Sequence, residues 1–296
     1  MNIVILGPGA IGTLWATKLS IAGHSVAVWS NSTDRHLSLQ LDELPPIQCD
    51  NRDITSIRQA DLLLVTVKAW QVKRALEPLK AHITPETMIS LMHNGMGTAE
   101  WLSNTFPRNP LLLATTTHGA YQSAKHQVIH TGLGVTHIGG INHSGKQCDF
   151  LREVLQHALP EVIWCDNIEH ALWLKLAVNC AINPLTAIFQ IKNGELGSER
   201  FKEPLTNVIE EVFRVMNACS IPIDKSILAS TVHQVISATA ENMSSMRQDI
   251  HYRRRTEIDF ITGYLLKQAK IHNIQTPENQ ALYNQIHHIE QSWKQQ

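Results

Sequence analysis

The sequence has no excess of charge of either sign: 25 Lys plus Arg stand against 26 Asp plus Glu, a formal net charge of -1. A chain that tracks a phosphate backbone needs clustered basic charge, so this balance argues against nucleic acid as a partner. Cysteine is sparse. The five present (Cys49, Cys148, Cys165, Cys180, Cys219) are odd in number and form no C-x-x-C pair, which points to reduced, mostly buried thiols rather than disulfides or zinc. Long hydrophobic runs are missing too. Stretches such as Asp61–Val67 and Leu111–Ala114 are of strand length, well short of the ~20 residues that cross a bilayer, so no membrane span is expected. No basic leader precedes Met1–Leu6, which runs straight into Gly-Pro-Gly. It reads as a first strand rather than a signal peptide, and the cytoplasm is the expected compartment. The 16 histidines are many, but no H-x-x-x-H pair lies beside a carboxylate in a ligand pattern, and no metal is expected.

What is present is the material of a folded protein. Hydrophobic residues make up 43% and charged residues 17% of 296 positions, enough for two domains that each bury a core. The character of the sequence changes midway. From residue 1 to about 166, short β-branched runs alternate with helical stretches, which specifies α/β architecture with a parallel sheet covered by helices. The expected strands are Ile3–Leu6, Ser25–Trp29, Asp61–Val67, Met88–Met92, Leu111–Thr116 and Val162–Trp164, with Gln127–Thr131 and Gly134–Ile138 forming an appended antiparallel hairpin. From residue 167 to 296 the strand signal gives way to a period near 3.6, over Glu203–Ala218, Ser226–Ala240 and Arg254–Ile271, which predicts an all-helical second domain. No long linker separates the halves, so they are expected to meet directly with a cleft between them.

The first motif is Gly7-Pro8-Gly9-Ala10-Ile11-Gly12, a full G-x-G-x-x-G between an apolar strand and an expected amphipathic helix. The first glycine permits a tight turn, the second lets backbone approach a pyrophosphate, and the third allows close packing of helix on strand, while the helix N-terminus favours negative charge. This predicts a dinucleotide-binding domain of Rossmann type. An NAD enzyme usually carries an acid about 20 residues further on for the ribose 2′-hydroxyl. Here that stretch reads Trp29-Ser30-Asn31-Ser32-Thr33, with no acid, while Arg35 and Lys68 are cations able to meet a 2′-phosphate or simply to sit in solvent. NADPH is therefore the expected cofactor.

The second constellation is Trp173-Leu-Lys175-Leu-Ala-Val-Asn179-Cys-Ala-Ile-Asn183-Pro184. On a helix, Lys175, Asn179 and Asn183 recur at i, i+4 and i+8 and form one polar row among apolar neighbours. Such a helix is buried, and buried polar groups need partners, which a substrate supplies; backbone contacts for the amides and a snorkelling lysine are the alternative. Pro184 is expected to end or kink the helix. By helical spacing Glu257 shares a face with Phe260, Ile261, Tyr264 and Leu265 and points inward, toward Lys175 or cofactor hydroxyls, unless Arg253 or Arg254 pairs with it. The loop His93-Asn94-Gly95-Met96-Gly97 follows the fourth strand at the sheet's carboxyl edge, where Asn94 is placed to contact nicotinamide and substrate or to form a plain Asn-Gly turn. Ser244-Ser245 offers a hydroxyl either to a carboxylate or to a helix cap.

Taken in order, GPGAIG, DLLLVTVKAWQV, HNGMG, TTTHGA, KLAVNCAINPLTA, NGEL and AENMSSMRQDI…RRTEID resemble the ketopantoate reductase family over essentially the whole chain. The resemblance implies a Rossmann domain followed by a helical domain, with NADPH reducing 2-dehydropantoate to pantoate in coenzyme A synthesis. By motif match it implies Lys175 as general acid, with Asn179, Asn183, Asn193 and Ser245 holding substrate. It likewise implies Asn94 touching cofactor and substrate, Glu257 beside the cofactor, and Ala120 in backbone contact. Relatives commonly carry arginine where Asn31 stands, so Asn31 weakens the 2′-phosphate site that Lys68 retains. A small-molecule substrate, no nucleic acid, no membrane, and a monomer or homodimer are the expected partners. Two other classes fit parts of the pattern: a related reductase of another small 2-oxo acid, and a non-catalytic NADP(H)-binding sensor.

Overall fold

The computed structural model describes residues 1–293, which divide into two compact units: Met1–His93 with Thr98–Ala171, and Asn94–Gly97 with the chain from Leu172 onward. The first unit opens with β1 (Asn2–Leu6), α1 (Ala10–Ile21), β2 (Ser25–Trp29), β3 (His36–Leu41), β4 (Ile47–Asp50), α2 (Ile54–Arg58) and β5 (Leu62–Val65). It continues through α3 (Val72–Leu76), β6 (Met88–Met92), α4 (Ala99–Thr105), β7 (Leu111–Thr116), β8 (Gly119–Ala124), β9 (Gln127–Gly132) and β10 (Thr136–Gly140). Then come α5 (His143–Lys146), α6 (Leu151–Ala158), β11 (Val162–Trp164) and the first turn of α7 (Ile168–Phe189).

Seven strands form the main sheet in the order β11-β10-β7-β6-β5-β1-β2. From β7 to β2 all pairings are parallel, and β10 joins β7 antiparallel. β5 is apolar at every position, and β1 and β6 depart from that only at Asn2 and Ser90, because both faces are covered. Ile3, Ile5, Leu62 and Leu64 pack into the layer with α1 and α6, while Val4, Leu6, Leu63 and Val65 pack into the layer with α3 and α4.

The expected hairpin of 127–131 with 134–138 does not form. β9 instead pairs antiparallel with β8 and parallel with β3, in a second sheet of order β4-β3-β9-β8, whereas β10 belongs to the main sheet. The crossing chain is pinned at Thr117, whose backbone N–H donates to the Val135 carbonyl and whose hydroxyl accepts the Val135 N–H at 2.8 Å. Gly134 lies so close to the Thr117 and His118 backbone that a Cβ there has no room. In β3 the alternation of Leu37, Leu39 and Leu41 buries one face of the small sheet in the same core as α1. This explains why α1 is buried on nearly every side rather than amphipathic, with Thr13, Leu14, Trp15, Ala16, Thr17 and Leu19 all buried.

The second unit continues with the rest of α7, then α8 (Glu199–Ala218), α9 (Lys225–Ala238), α10 (Ser245–His251), α11 (Thr262–Ile271) and α12 (Pro277–Ser292). Helix α7 is long and apolar enough to cross a membrane by composition, yet 72% of that window is buried within the protein, as expected of a core helix. Trp173, Leu176, Cys180, Ala181 and Leu185 pack there against Phe201, Leu205, Val208 and Val212 of α8. Pro184 does not end α7, which runs on to Phe189. The Thr186 hydroxyl lies at 2.8 Å from the Ile182 carbonyl and 3.1 Å from that of Asn183, bonding the turn that contains the proline.

The stretch 254–271 is not one helix, as its periodicity suggested. A 3-10 turn at Ile258–Phe260 precedes α11, and Glu257 lies just before that turn. Side chains of α12 hold this segment in its irregular path. Glu290 accepts the Thr256 N–H at 2.8 Å, while Asp259 accepts the Tyr283 hydroxyl at 2.9 Å and pairs with His287 at 2.8 Å. Helix α12 is itself capped from outside by Glu211 of α8, only 3% exposed, whose carboxylate accepts the Glu278 and Asn279 N–H groups at 2.9 Å and the Asn279 side-chain amide at 2.8 Å. Replacing Glu211 by alanine strands those donors, so Glu211→Ala is expected to lower the unfolding free energy by about 2–4 kcal/mol. Urea denaturation followed by circular dichroism measures this, and Glu211→Gln, which retains an acceptor, should lose less.

Candidate active site

In the first unit, β1 delivers the chain into the glycine loop at Gly7, whose φ of +94° and contact with the Val67 backbone exclude any side chain. Gly12 packs α1 down onto the loop, with the Gly7 carbonyl and the Thr66 hydroxyl where a Cβ would stand. Thr66 also donates to the Gly7 carbonyl at 2.8 Å, fixing the turn to the end of β5. Gly9 is the opposite case: it is exposed and nothing lies within 4 Å of its Cβ position. Gly9 caps α1 without any side-chain bond, and no acid occupies the first turn. Packing therefore explains Gly7 and Gly12 but not Gly9. Open space at the uncapped N-terminus of a 12-residue helix fits a bound pyrophosphate, with Pro8, Ala10 and Ile11 completing the loop.

The end of β2 is built around Asn51, 4% exposed, whose amide accepts the Ser30 N–H at 3.0 Å and donates to the Ser32 and Asp34 carbonyls. Asn31 is exposed at the tip of this loop, and Arg35 is exposed beyond it. Lys68 is half-buried after β5, where its backbone N–H donates to the Gln71 side chain at 3.1 Å. Ala120 sits half-buried on β8 opposite His130. Among the described residues no group of three or more His, Cys, Asp or Glu side chains clusters as metal ligands would.

In the second unit Lys175, Asn179 and Asn183 all lie on α7 at the expected spacing. Burial lowers the Lys175 pKa to about 8, against the opposing effect of the Glu257 carboxylate. The residue keeps some surface, so the ammonium is desolvated by its packing rather than sealed from water. Next on the row, the Asn179 amide nitrogen is buried with no hydrogen-bond partner, and Asn183 is 6% exposed.

The loop Asn94–Gly97 packs within this same unit. Gly95, at φ +84°, sits where the Phe260 carbonyl leaves no room for a Cβ, and the Met96 N–H donates to that carbonyl at 2.8 Å. Gly97, at φ +104°, presses against the Tyr264 ring. The two glycines thus seat the loop on the 3-10 turn, and the Asn94 amide donates to Glu257 Oε2 at 3.2 Å. Glu257 is 6% exposed, as expected, but tertiary clamping of an irregular segment directs it inward rather than the face of a helix.

Asn193 opens a 3-10 turn, Asn193–Gly197, whose Gly194 lies against Ala240. The Thr239 hydroxyl donates to the Val235 carbonyl at 2.7 Å and must therefore accept from Asn193 Nδ2 at 2.9 Å, which leaves Asn193 Oδ1 as a buried acceptor without a partner. Ser244 and Ser245 divide the roles left open by the sequence. Ser244 is buried, caps α10 by accepting the Arg247 N–H at 3.1 Å, and bonds Thr186 at 2.7 Å, so its hydroxyl is used up; Ser245 is exposed. Thr239, Thr186, Thr66 and Asn51 were not singled out by the sequence, since a threonine or asparagine acting through another polar group carries no spacing signal.

A glycine-loop nucleotide fold combined with a desolvated lysine among unpaired amides defines a dinucleotide-dependent oxidoreductase. Residues 3–143 match the family described as ketopantoate reductase PanE/ApbA, and residues 167–290 match its C-terminal counterpart. The chain belongs to the ketopantoate reductase family. It is 52% identical over 293 residues to a 2-dehydropantoate 2-reductase of Vibrio cholerae serotype O1, covering 99% of both chains. A crystal structure of a PanE/ApbA family ketopantoate reductase from Ralstonia eutropha JMP134 superposes with a TM-score of 0.86 at 25% identity, covering 99% of this chain and 100% of that one. D-mandelate dehydrogenase in ternary complex with NADH and anilino(oxo)acetate superposes at 0.91 with 22% identity over 99% and 100%, a likeness of fold.

The coupling of Lys175 to Glu257 has a measurable sign. Glu257 raises the lysine pKa, so Glu257→Gln leaves burial unopposed and should move it below about 8. If protonated Lys175 is the active form, the alkaline fall in kcat/KM should then begin at lower pH in Glu257→Gln than in wild type. A pH profile that stays in place would show that the two groups are not coupled in the working enzyme.

Proposed function

We propose that the chain reduces the ketone of 2-dehydropantoate to pantoate with NADPH, in the route to coenzyme A, with Lys175 as general acid. The observation that carries this reading is the pair of buried, unpartnered amide ends on Asn179 and Asn193 in the unit that holds Lys175. Buried polar groups without partners are rare and costly, so a ligand supplying both an acceptor and a donor accounts for them. A 2-oxo acid that also carries a hydroxyl has that chemistry. The working division is residues 1–166 for the cofactor and 167–296 for the substrate.

Bound NADPH supplies hydride to the ketone carbon. As charge grows on the ketone oxygen, the Lys175 ammonium stabilises it and gives up a proton to it, so the product is the 2-hydroxy acid and the neutral amine is reprotonated from solvent. A pKa near 8 suits this task, since the lysine is mostly charged at neutral pH yet a better acid than an exposed lysine. Glu257 keeps that proton from leaving too early, and Asn94 orients Glu257. Asn183 and Ser245 line the substrate's polar end together with Asn179 and Asn193, and Lys68, Asn31 and Ala120 meet the cofactor. The five free thiols suit a reducing compartment, and we place the protein in the cytoplasm, as a monomer or homodimer.

The direct test is oxidation of NADPH by purified protein with and without 2-dehydropantoate, other small 2-oxo acids serving as comparison; faster turnover of another acid would reassign the substrate. Lys175→Ala should keep its fold and its affinity for NADPH while losing about 10²–10⁴-fold in kcat, with the alkaline limb of the profile gone. Near-normal turnover in that variant would return Lys175 to a structural role. Because Asn31 adds no charge where an arginine would, Asn31→Arg is expected to raise the ratio of kcat/KM for NADPH over NADH. An unchanged ratio would place the 2′-phosphate elsewhere.

A further inference from the structure

Past Asn31, the end of β2 carries a cation that its sequence neighbourhood does not reveal. The Arg52 guanidinium carbon lies 5.8 Å from the centroid of the Trp29 ring. Trp29 is the last residue of β2, and its carbonyl accepts the N–H of Gly7 in the glycine loop at 2.9 Å. The Arg52 backbone is anchored to the same strand. Asn51 bridges Val28 in parallel register, and the Arg52 N–H donates to the Val28 carbonyl at 3.1 Å. Arg52 also has a φ of +59°, a left-handed conformation that a non-glycine side chain adopts at a cost.

The surroundings leave that charge available. Arg52 is exposed and makes no ion pair among the described residues. The carboxylates close to it in sequence or across the loop are engaged elsewhere: Asp34 takes the Ser32 hydroxyl at 2.6 Å, Asp50 pairs with His36 at 2.9 Å, and Asp53 caps α2. The loop it borders is fixed in shape by the buried Asn51 amide. A cation–π contact with an indole face favours one position of a guanidinium while leaving its N–H groups to bind phosphate oxygens.

We propose that Arg52, lying over the Trp29 ring, recognises the 2′-phosphate of the dinucleotide, replacing the charge that Asn31 lacks. The proposal rests on the reading of the cofactor as NADPH. It makes Arg52 a determinant of cofactor choice supplied by the segment after β4 rather than by the β2 loop itself.

Isothermal titration calorimetry with 2′,5′-ADP and 5′-AMP, which differ only in the 2′-phosphate, tests it without turnover. Arg52→Gly is the informative variant, because glycine accepts φ near +59° and so removes the guanidinium without straining the backbone. Wild type should bind 2′,5′-ADP more tightly than 5′-AMP. Arg52→Gly should lose about tenfold to a hundredfold in affinity for 2′,5′-ADP while its affinity for 5′-AMP stays within about twofold, with Arg52→Lys in between. Undiminished 2′,5′-ADP binding in Arg52→Gly, an equal loss for both ligands, or loss on Arg35→Ala alone would overturn the assignment. Wild type binding both ligands alike would instead overturn the NADPH reading itself, a result visible before any substitution is made.

Discussion

A lysine ammonium taken out of water loses its charge unless something nearby pays for it, and the second unit is organised around that constraint. Burial on α7 draws the Lys175 pKa down to about 8, and the Glu257 carboxylate keeps it from falling further. Glu257 is itself buried and therefore needs its own partners, of which the Asn94 amide is one. That requirement reaches outward. The Asn94 loop is seated by two glycines against the turn that follows Glu257, and the turn is braced by Glu290, Tyr283 and His287 of α12. Burial pushes the Asp259 carboxyl up, but hydrogen bonds from Tyr283, Arg255 and His287 outweigh it, so Asp259 stays ionised and the brace holds at neutral pH. Helix α12 in turn begins on the buried carboxylate of Glu211.

The first unit works by shape instead of charge. Its glycine loop is tied to β2 through Trp29, to β5 through Thr66 and to α1 through Gly12, which leaves Gly9 as the open position. The small second sheet shares a core with α1 and the main sheet, so the helix that starts at the glycine loop is held by packing along most of its length.

Features that repeat along the chain were legible in the sequence. The apolar strand runs, the spaced glycines and the Lys175-Asn179-Asn183 row all sit where periodicity and turn chemistry put them. Features decided by tertiary competition were not. Gln127–Thr131 and Gly134–Ile138 look like a hairpin locally, but Thr117 and Gly134 send the second strand into the main sheet. The apolar pattern at 254–271 reads as a helix, yet Glu290 and His287 offer the backbone and side chains of that stretch better partners outside it. Glu257 was placed inward by a helical count that does not apply, and the result agreed because packing from α12 imposes the same direction. β3 is legible in the alternation of Leu37, Leu39 and Leu41, whereas Asn51 and Thr239, which act through other polar groups, have no local pattern.

Residues 94–97 emerge from the ribosome long before Phe260 and Tyr264, the groups that seat them. During synthesis the nucleotide fold can close its sheet through β11 while this four-residue loop still has no surface to settle on. Glu257 likewise waits for α12, the last helix made. The surroundings of the Lys175–Glu257 pair are therefore completed last, whatever the order in which the rest of the chain condenses. A nascent or truncated chain that stops before α12 would carry a finished glycine loop and an unbraced Glu257 carboxylate.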